Sequence, residues 1–121
     1  MISAPHRSIG SRPDLLGWRR ERLPEMPSMV PVEVIPDWIC ELLSPTNASN
    51  DSVTKMRLYH QAGVLHYWLI DPIGQTLQVF RWEKEGYLEI LGAERMEKVR
   101  AEPFEADETP LGVFFGDDDE E

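Results

Sequence analysis

A six-residue apolar run with a single charge inside it, Trp38-Ile39-Cys40-Glu41-Leu42-Leu43, constrains this chain more than any other stretch. As a strand, Trp38 to Leu43 is apolar on both faces, the pattern of a strand buried within a sheet. Glu41 breaks that pattern. An ionised carboxylate there is costly unless a cation, a metal or hydrogen bonds compensate it. Ser44-Pro45 stops the strand, a polar stretch from Thr46 to Asn50 follows, and Asp51 or Ser52 offers a helix start. The helix predicted from Asp51 to Ala62 carries Lys55 in its first turn and Tyr59 four residues later, and Gly63 suits its C-terminal end. A strand carboxylate and a lysine on the next helix are thus within reach of each other.

Around this pair the chain reads as a small mixed domain. Residues 1–11 have no hydrophobic period and read as a flexible arm, and Asp14 to Trp18 reads as a short strand. Four prolines (Pro24, Pro27, Pro31, Pro36) make Arg19 to Pro36 a long irregular connection. After the helix, Leu65 to Asp71 and Thr76 to Trp82 form a hairpin about Pro72-Ile73-Gly74, the second strand alternating strictly. Tyr87 to Leu91 is a further strand, Met96 to Phe104 an edge strand, and residues 105–121 an acidic tail. One helix crossing between two strands usually joins parallel neighbours. The order therefore predicts an α+β fold: a mixed, mostly antiparallel sheet with one main crossover helix. A single helix covers one face, so the other face is expected to need a partner subunit or a missing N-terminal portion.

Composition narrows the setting. With 121 residues and 41% hydrophobic content, the chain supports one domain with a core. It has no run of about 18 apolar residues, hence no membrane span, and no basic-then-apolar leader. The single cysteine, Cys40, excludes an intrachain disulfide, and a cytoplasmic protein fits. The net charge of −10 is uneven: residues 1–60 hold seven Lys/Arg and seven Asp/Glu, residues 61–121 five and fifteen. The acidic half repels nucleic acid, whereas the basic cluster Arg19, Arg20 and Arg22 lies in the neutral half.

Asp37 and Glu41 lie on one face of a regular strand but about 13 Å apart, too far to share an ion whose ligands each sit about 2 Å from it. A second acid must come from another segment. Asp14 is the best placed; Asp71, in Asp-Pro-Ile-Gly, reads as a turn residue. His6, His60 and His66 lack metal-ligand spacing. Cys40 alternates away from Glu41 with no histidine near in sequence, which disfavours a nucleophilic mechanism. Trp18, Trp38, Trp68 and Trp82 read as core. A structural alternative stands beside each site residue: an internal ion pair for Glu41, and an Asp51–Lys55 pair at i, i+4 for Lys55.

The blocks PDLLGWRRERLPEMP, PDWICELLSP, the helix with Lys55 and Tyr59, and AGVLHYWLIDP, in this order, resemble the Uma-two family of restriction endonucleases, of the PD-(D/E)XK nuclease superfamily, over residues 12–104. The resemblance implies a restriction-endonuclease-like fold and Mg²⁺- or Mn²⁺-dependent hydrolysis of DNA phosphodiesters. It makes Asp14 and Glu41 the metal-binding acids of the first and second motifs. The superfamily lysine ordinarily stands two positions after the second acid, where this chain has Leu43; Lys55 takes the role from the helix, with Tyr59 hydrogen-bonding in the site. Family members generally begin with a longer N-terminal region, so the chain looks N-terminally shortened. DNA as partner and a homodimer cutting both strands follow. Two alternatives remain open: a catalytically inactive nuclease-fold scaffold for oligomerisation or binding, and a truncated remnant.

Overall fold

The computed structural model describes residues 15–19, 35–43 and 48–116, the helix side chains from residue 53 onward. Five strands join edge to edge in chain order: β1 (Leu15–Gly17), β2 (Trp38–Leu42), β3 (His66–Asp71), β4 (Thr76–Glu83) and β5 (Gly86–Glu94). Only β2 and β3 are parallel, joined through helix α1 (Ala48–Ala62); the other pairs are antiparallel. This is the mixed α+β sheet expected from the order of elements.

Alternation along the strands sorts their side chains onto two faces. Leu16, Ile39, Tyr67, Leu69 and Phe80 face α1 and pack with Tyr59 and Val64. Cys40, Trp68, Ile70, Leu77 and Val79 face the other way. Glu41, two residues after Ile39, therefore belongs to the helix face. One irregularity interrupts β5: the pairing shifts between Val79 and Phe80, leaving Ile90 as an extra residue, and Ile90 and Leu91 both pack on the second face. Beyond the bulge the strand runs on to Glu94, past the Leu91 end expected from the sequence.

The helix ends as its glycine suggests. Gly63 has φ +85°, its N–H bonds the carbonyl of His60 and the N–H of Val64 that of Tyr59, a Schellman pair that folds Val64 back beside Tyr59. Its start lies earlier than expected, at Ala48 rather than Asp51. Lys55 therefore sits two turns into the helix, not one.

The face away from α1 is covered by the chain's own C-terminal segment. Strands β6 (Lys98–Val99) and β7 (Thr109–Pro110) form a separate two-stranded ribbon, and a 3-10 turn, Leu111–Phe115, follows. Val99, Ala101 and Leu111 are buried there against Cys40, Trp68 and Val79, with Phe104 and Phe115 at the margin. The segment 96–104 thus adds two paired residues to the ribbon and none to the main sheet. Packing continues beyond residue 104 into the acidic stretch. Leu111 has no exposed surface. Among the described residues no helix is long and apolar enough to cross a membrane.

Candidate functional site

Three of the four residues singled out in the sequence meet on the helix face. Glu41, inside β2 and paired with Leu69 of β3, is buried. Lys55 and Tyr59 stand four residues apart on α1 and so share a face of it. The Lys55 ammonium lies 3.1 Å from Glu41 Oε1, and the Tyr59 hydroxyl donates a hydrogen bond to Oε2. One carboxylate is thus clasped by a cation on one oxygen and a neutral donor on the other. Charge-assisted bonds of this kind offset the desolvation of a buried anion.

The three residues differ in freedom. Tyr59 is completely buried, with its ring centroid 5.6 Å from that of Tyr67, which in turn stacks on Phe80. The residue after it is anchored as well. The His60 ring stacks on Trp82 at 5.0 Å, its Nε2 donates to the Glu83 carbonyl, and Trp82 Nε1 donates to the His60 carbonyl. Lys55, by contrast, keeps 23% of its side-chain surface exposed, against 3% for Glu41. The site therefore opens to solvent on the lysine side. Leu43, at the position where the superfamily lysine would stand, packs against the helix-side core. From that position no ammonium is supplied; the ammonium beside Glu41 is that of Lys55 on α1.

Asp14 lies outside the described residues. The strand that follows it begins with Leu15 opposite Cys40, the neighbour of Glu41. Asp37 proves to be a tie between strands: its Oδ2 accepts from the Arg19 N–H at 2.7 Å, its own N–H bonds the Gly17 carbonyl, and its carbonyl accepts from His66 N–H. Asp71 Oδ1 accepts from the N–H groups of Ile73 and Gly74, both at 3.0 Å, and so builds the β3–β4 turn. A side chain at Gly74 would run into that carboxylate. Among the described residues no three His, Cys, Asp or Glu side chains gather closely enough to hold a metal. Arg20 and Arg22 of the basic cluster, and Asp51 as an alternative partner for Lys55, also fall outside what is described.

A second charged cluster, unsignalled in the sequence, lies where the C-terminal segment crosses the sheet. Arg81 clasps Glu102 through Nε to Oε1 (3.2 Å) and Nη2 to Oε2 (2.9 Å), and Trp68 Nε1 donates to the Glu102 carbonyl at 2.6 Å. The Arg81 hydrogen bond holds the Glu102 carboxyl below the usual range. His66 Nδ1 stands 3.7 Å from Oε1; burial pushes its pKa down, with the Glu102 charge opposing. No short sequence pattern joins residues 66, 81 and 102, which is why only the folded chain reveals them.

No match was found among curated proteins. Among solved structures the chain is similar to a protein of Anabaena variabilis described as a "putative nuclease belonging to DUF820", at 24% identity and a TM-score of 0.64. The similarity covers 87% of this chain and 59% of that one, so this chain spans about three-fifths of the neighbour's length. At that identity the likeness establishes the fold. A family model, Uma2, described as "Putative restriction endonuclease", matches residues 4–110, through the sheet, the helix and the Glu41 clasp; this chain belongs to the Uma2 family.

Proposed function

We propose that this chain is a metal-dependent endonuclease that hydrolyses DNA phosphodiesters, with Asp14 and Glu41 binding Mg²⁺ or Mn²⁺ and with Lys55 and Tyr59 completing the site. The observation that carries this reading is the convergence of Lys55 and Tyr59 on one buried carboxylate within a Uma2 domain. The donor chemistry suits the ion: Mg²⁺ favours hard oxygen ligands and is commonly held by one or two carboxylates together with water and substrate phosphate. A bound divalent cation lowers the pKa of water and neutralises charge developing on the phosphate. Glu41, within β2, would hold the ion together with Asp14. Tyr59 fixes the orientation of the Glu41 carboxylate through Oε2. Lys55, the solvent-facing member, places its ammonium against the scissile phosphate. The setting is cytoplasmic, and a homodimer gives each DNA strand one site; with the second sheet face already covered, the dimer rests on the two-fold symmetry of a duplex cut alone.

The test is nicking of supercoiled plasmid by the purified chain with and without Mg²⁺ or Mn²⁺. Nicking is expected only with metal and is lost in Glu41→Ala. Nicking that survives either chelation or that substitution would overturn the assignment. One observation favours a second reading, a nuclease-fold scaffold: both Glu41 oxygens are already satisfied by the chain's own groups, as in a purely structural tie. That reading requires that calorimetry detect no metal binding and that Glu41→Ala leave function unchanged.

A further inference from the structure

Resting on the nuclease reading above, we infer that Gln78 and Glu89 form a base-reading subsite beside the Glu41 clasp, one that takes the amino-bearing edge of an unpaired cytosine or adenine and rejects thymine. Glu41 pairs with Leu69, Leu69 with Gln78 and Gln78 with Gly92, a single row across the helix face of the sheet. Gln78 on β4 therefore lies two strands from Glu41 on β2, about 10 Å at the usual strand spacing. A distance of that order separates a phosphate from the far edge of the base on the same nucleotide.

The irregularity in β5 builds the couple. In a regular strand Glu89 and Gly92, three residues apart, would face opposite ways. Ile90, the extra residue, brings both onto the helix face, Glu89 opposite Phe80 and Gly92 opposite Gln78. Gly92 then leaves room for its neighbour: a Cβ there would stand 3.0 Å from Glu89 Oε2. The Glu89 side chain runs over Gly92, and its Oε1 accepts a hydrogen bond of 3.4 Å from Gln78 Nε2. Glu89 is exposed and Gln78 half-buried, so the couple is open to a ligand.

The polar groups left over define that ligand. Among the described residues Glu89 Oε2 accepts no hydrogen bond, and the Gln78 amide has a second N–H to give. A carboxylate repels phosphate, so the group taken here is a base rather than the backbone. An acceptor beside a donor complements a donor beside an acceptor. Cytosine offers that pattern in its exocyclic amine and the adjacent ring nitrogen, and so does adenine; thymine has no amine. Pairing in a duplex occupies those edges, so the base is read from a single strand or a locally opened duplex.

The test is binding of oligodeoxycytidylate and oligothymidylate of equal length to the full chain, by fluorescence anisotropy at low ionic strength without added metal. The variants are Gln78→Leu, Glu89→Ala and Gly92→Ala, the last of which displaces the Glu89 carboxylate without changing any charge. The wild type is expected to prefer the cytosine strand by about fivefold, the low end for one base contact because the couple is exposed. Each variant is expected to bring the two affinities together. The ratio is the reading, since removing the Glu89 charge tightens both strands alike. If the wild type shows no preference, or if Gln78→Leu and Gly92→Ala keep it, the subsite falls, and metal-dependent plasmid nicking by the wild type leaves the nuclease reading standing. If the wild type binds neither strand and does not nick plasmid, the nuclease reading falls and takes this inference with it.

Discussion

Replacing Tyr59 with phenylalanine isolates one bond of the site. The ring, fully buried and packed against Tyr67, is kept, so no cavity opens and no apolar contact is lost. What disappears is the hydroxyl that donates to Glu41 Oε2. A hydrogen bond to a charged partner contributes about 1.5–3 kcal/mol net, and a buried acceptor left unsatisfied costs a comparable amount. Lys55 remains on Oε1 and limits the loss, so the expected destabilisation is about 2 kcal/mol. For a chain of this length that is a fall in melting temperature of roughly 6–10 °C.

Urea denaturation gives the cleaner reading, because an unchanged slope with a lowered midpoint assigns the loss to native-state stability. Combining Tyr59→Phe with Lys55→Met adds a second criterion. Both groups serve one carboxylate, so removing the second takes away the support that limits the first loss, and the double variant is expected to lose more than the sum of the singles. A Tyr59→Phe loss below about 0.5 kcal/mol, or strict additivity in the double variant, would refute the clasp as drawn.

Two further outcomes follow from the second face of the sheet. Leu111→Ala is expected to cost 2–5 kcal/mol, toward the upper end because the side chain is fully buried, as read by denaturation; a cost under about 1 kcal/mol would mean that the C-terminal segment does not cover the sheet. Acidification is expected to weaken the fold in two stages. His66 has a folded pKa below its ordinary 6.5, so the unfolded chain takes up the proton first; its contribution is whole above pH 6.5 and is lost as pH falls through the folded value. Glu102, held below its ordinary 4.5 by the Arg81 hydrogen bond, acts with the same sign at lower pH. Stability measured along a pH series should lose the first stage in His66→Gln and the second in Arg81→Met.

What the sequence discloses and what it conceals divide along physical lines. Glu41 is conspicuous because a charge within a buried strand demands a partner, and Lys55 and Tyr59 are discoverable because a helix brings residues four apart onto one face. Gly63 and Asp71 act through local backbone geometry, so they are legible where they stand. The cover of the second face is not. Val99, Ala101, Phe104, Leu111 and Phe115 are scattered among acids and prolines without a period, and they pack on Cys40, Trp68 and Val79, residues far back in the chain, beside the hydrogen bonds from Trp68 and Arg81 to Glu102. The β5 bulge conceals itself similarly, since one extra residue breaks the alternation by which a strand is recognised. The helix start is not legible because Ser49, Asn50, Asp51 and Ser52 are all cap types, so the sequence offers several equivalent starts.

The presence of Glu41 is itself evidence about function. Replacing a buried ion pair with apolar residues of similar volume is often neutral or stabilising by about 1–4 kcal/mol, whereas removing one partner alone is strongly destabilising. A chain selected only for a stable sheet would have little reason to keep a carboxylate at this position. The combined variant Glu41→Leu, Lys55→Met, Tyr59→Phe removes every member of the clasp and leaves no orphaned charge among them. If the clasp serves chemistry, this variant should be at least as stable as the wild type in urea while losing both Mn²⁺ binding and plasmid nicking. If it serves the fold, the variant should be substantially less stable, and the scaffold reading would then account for the site better than the nuclease reading does.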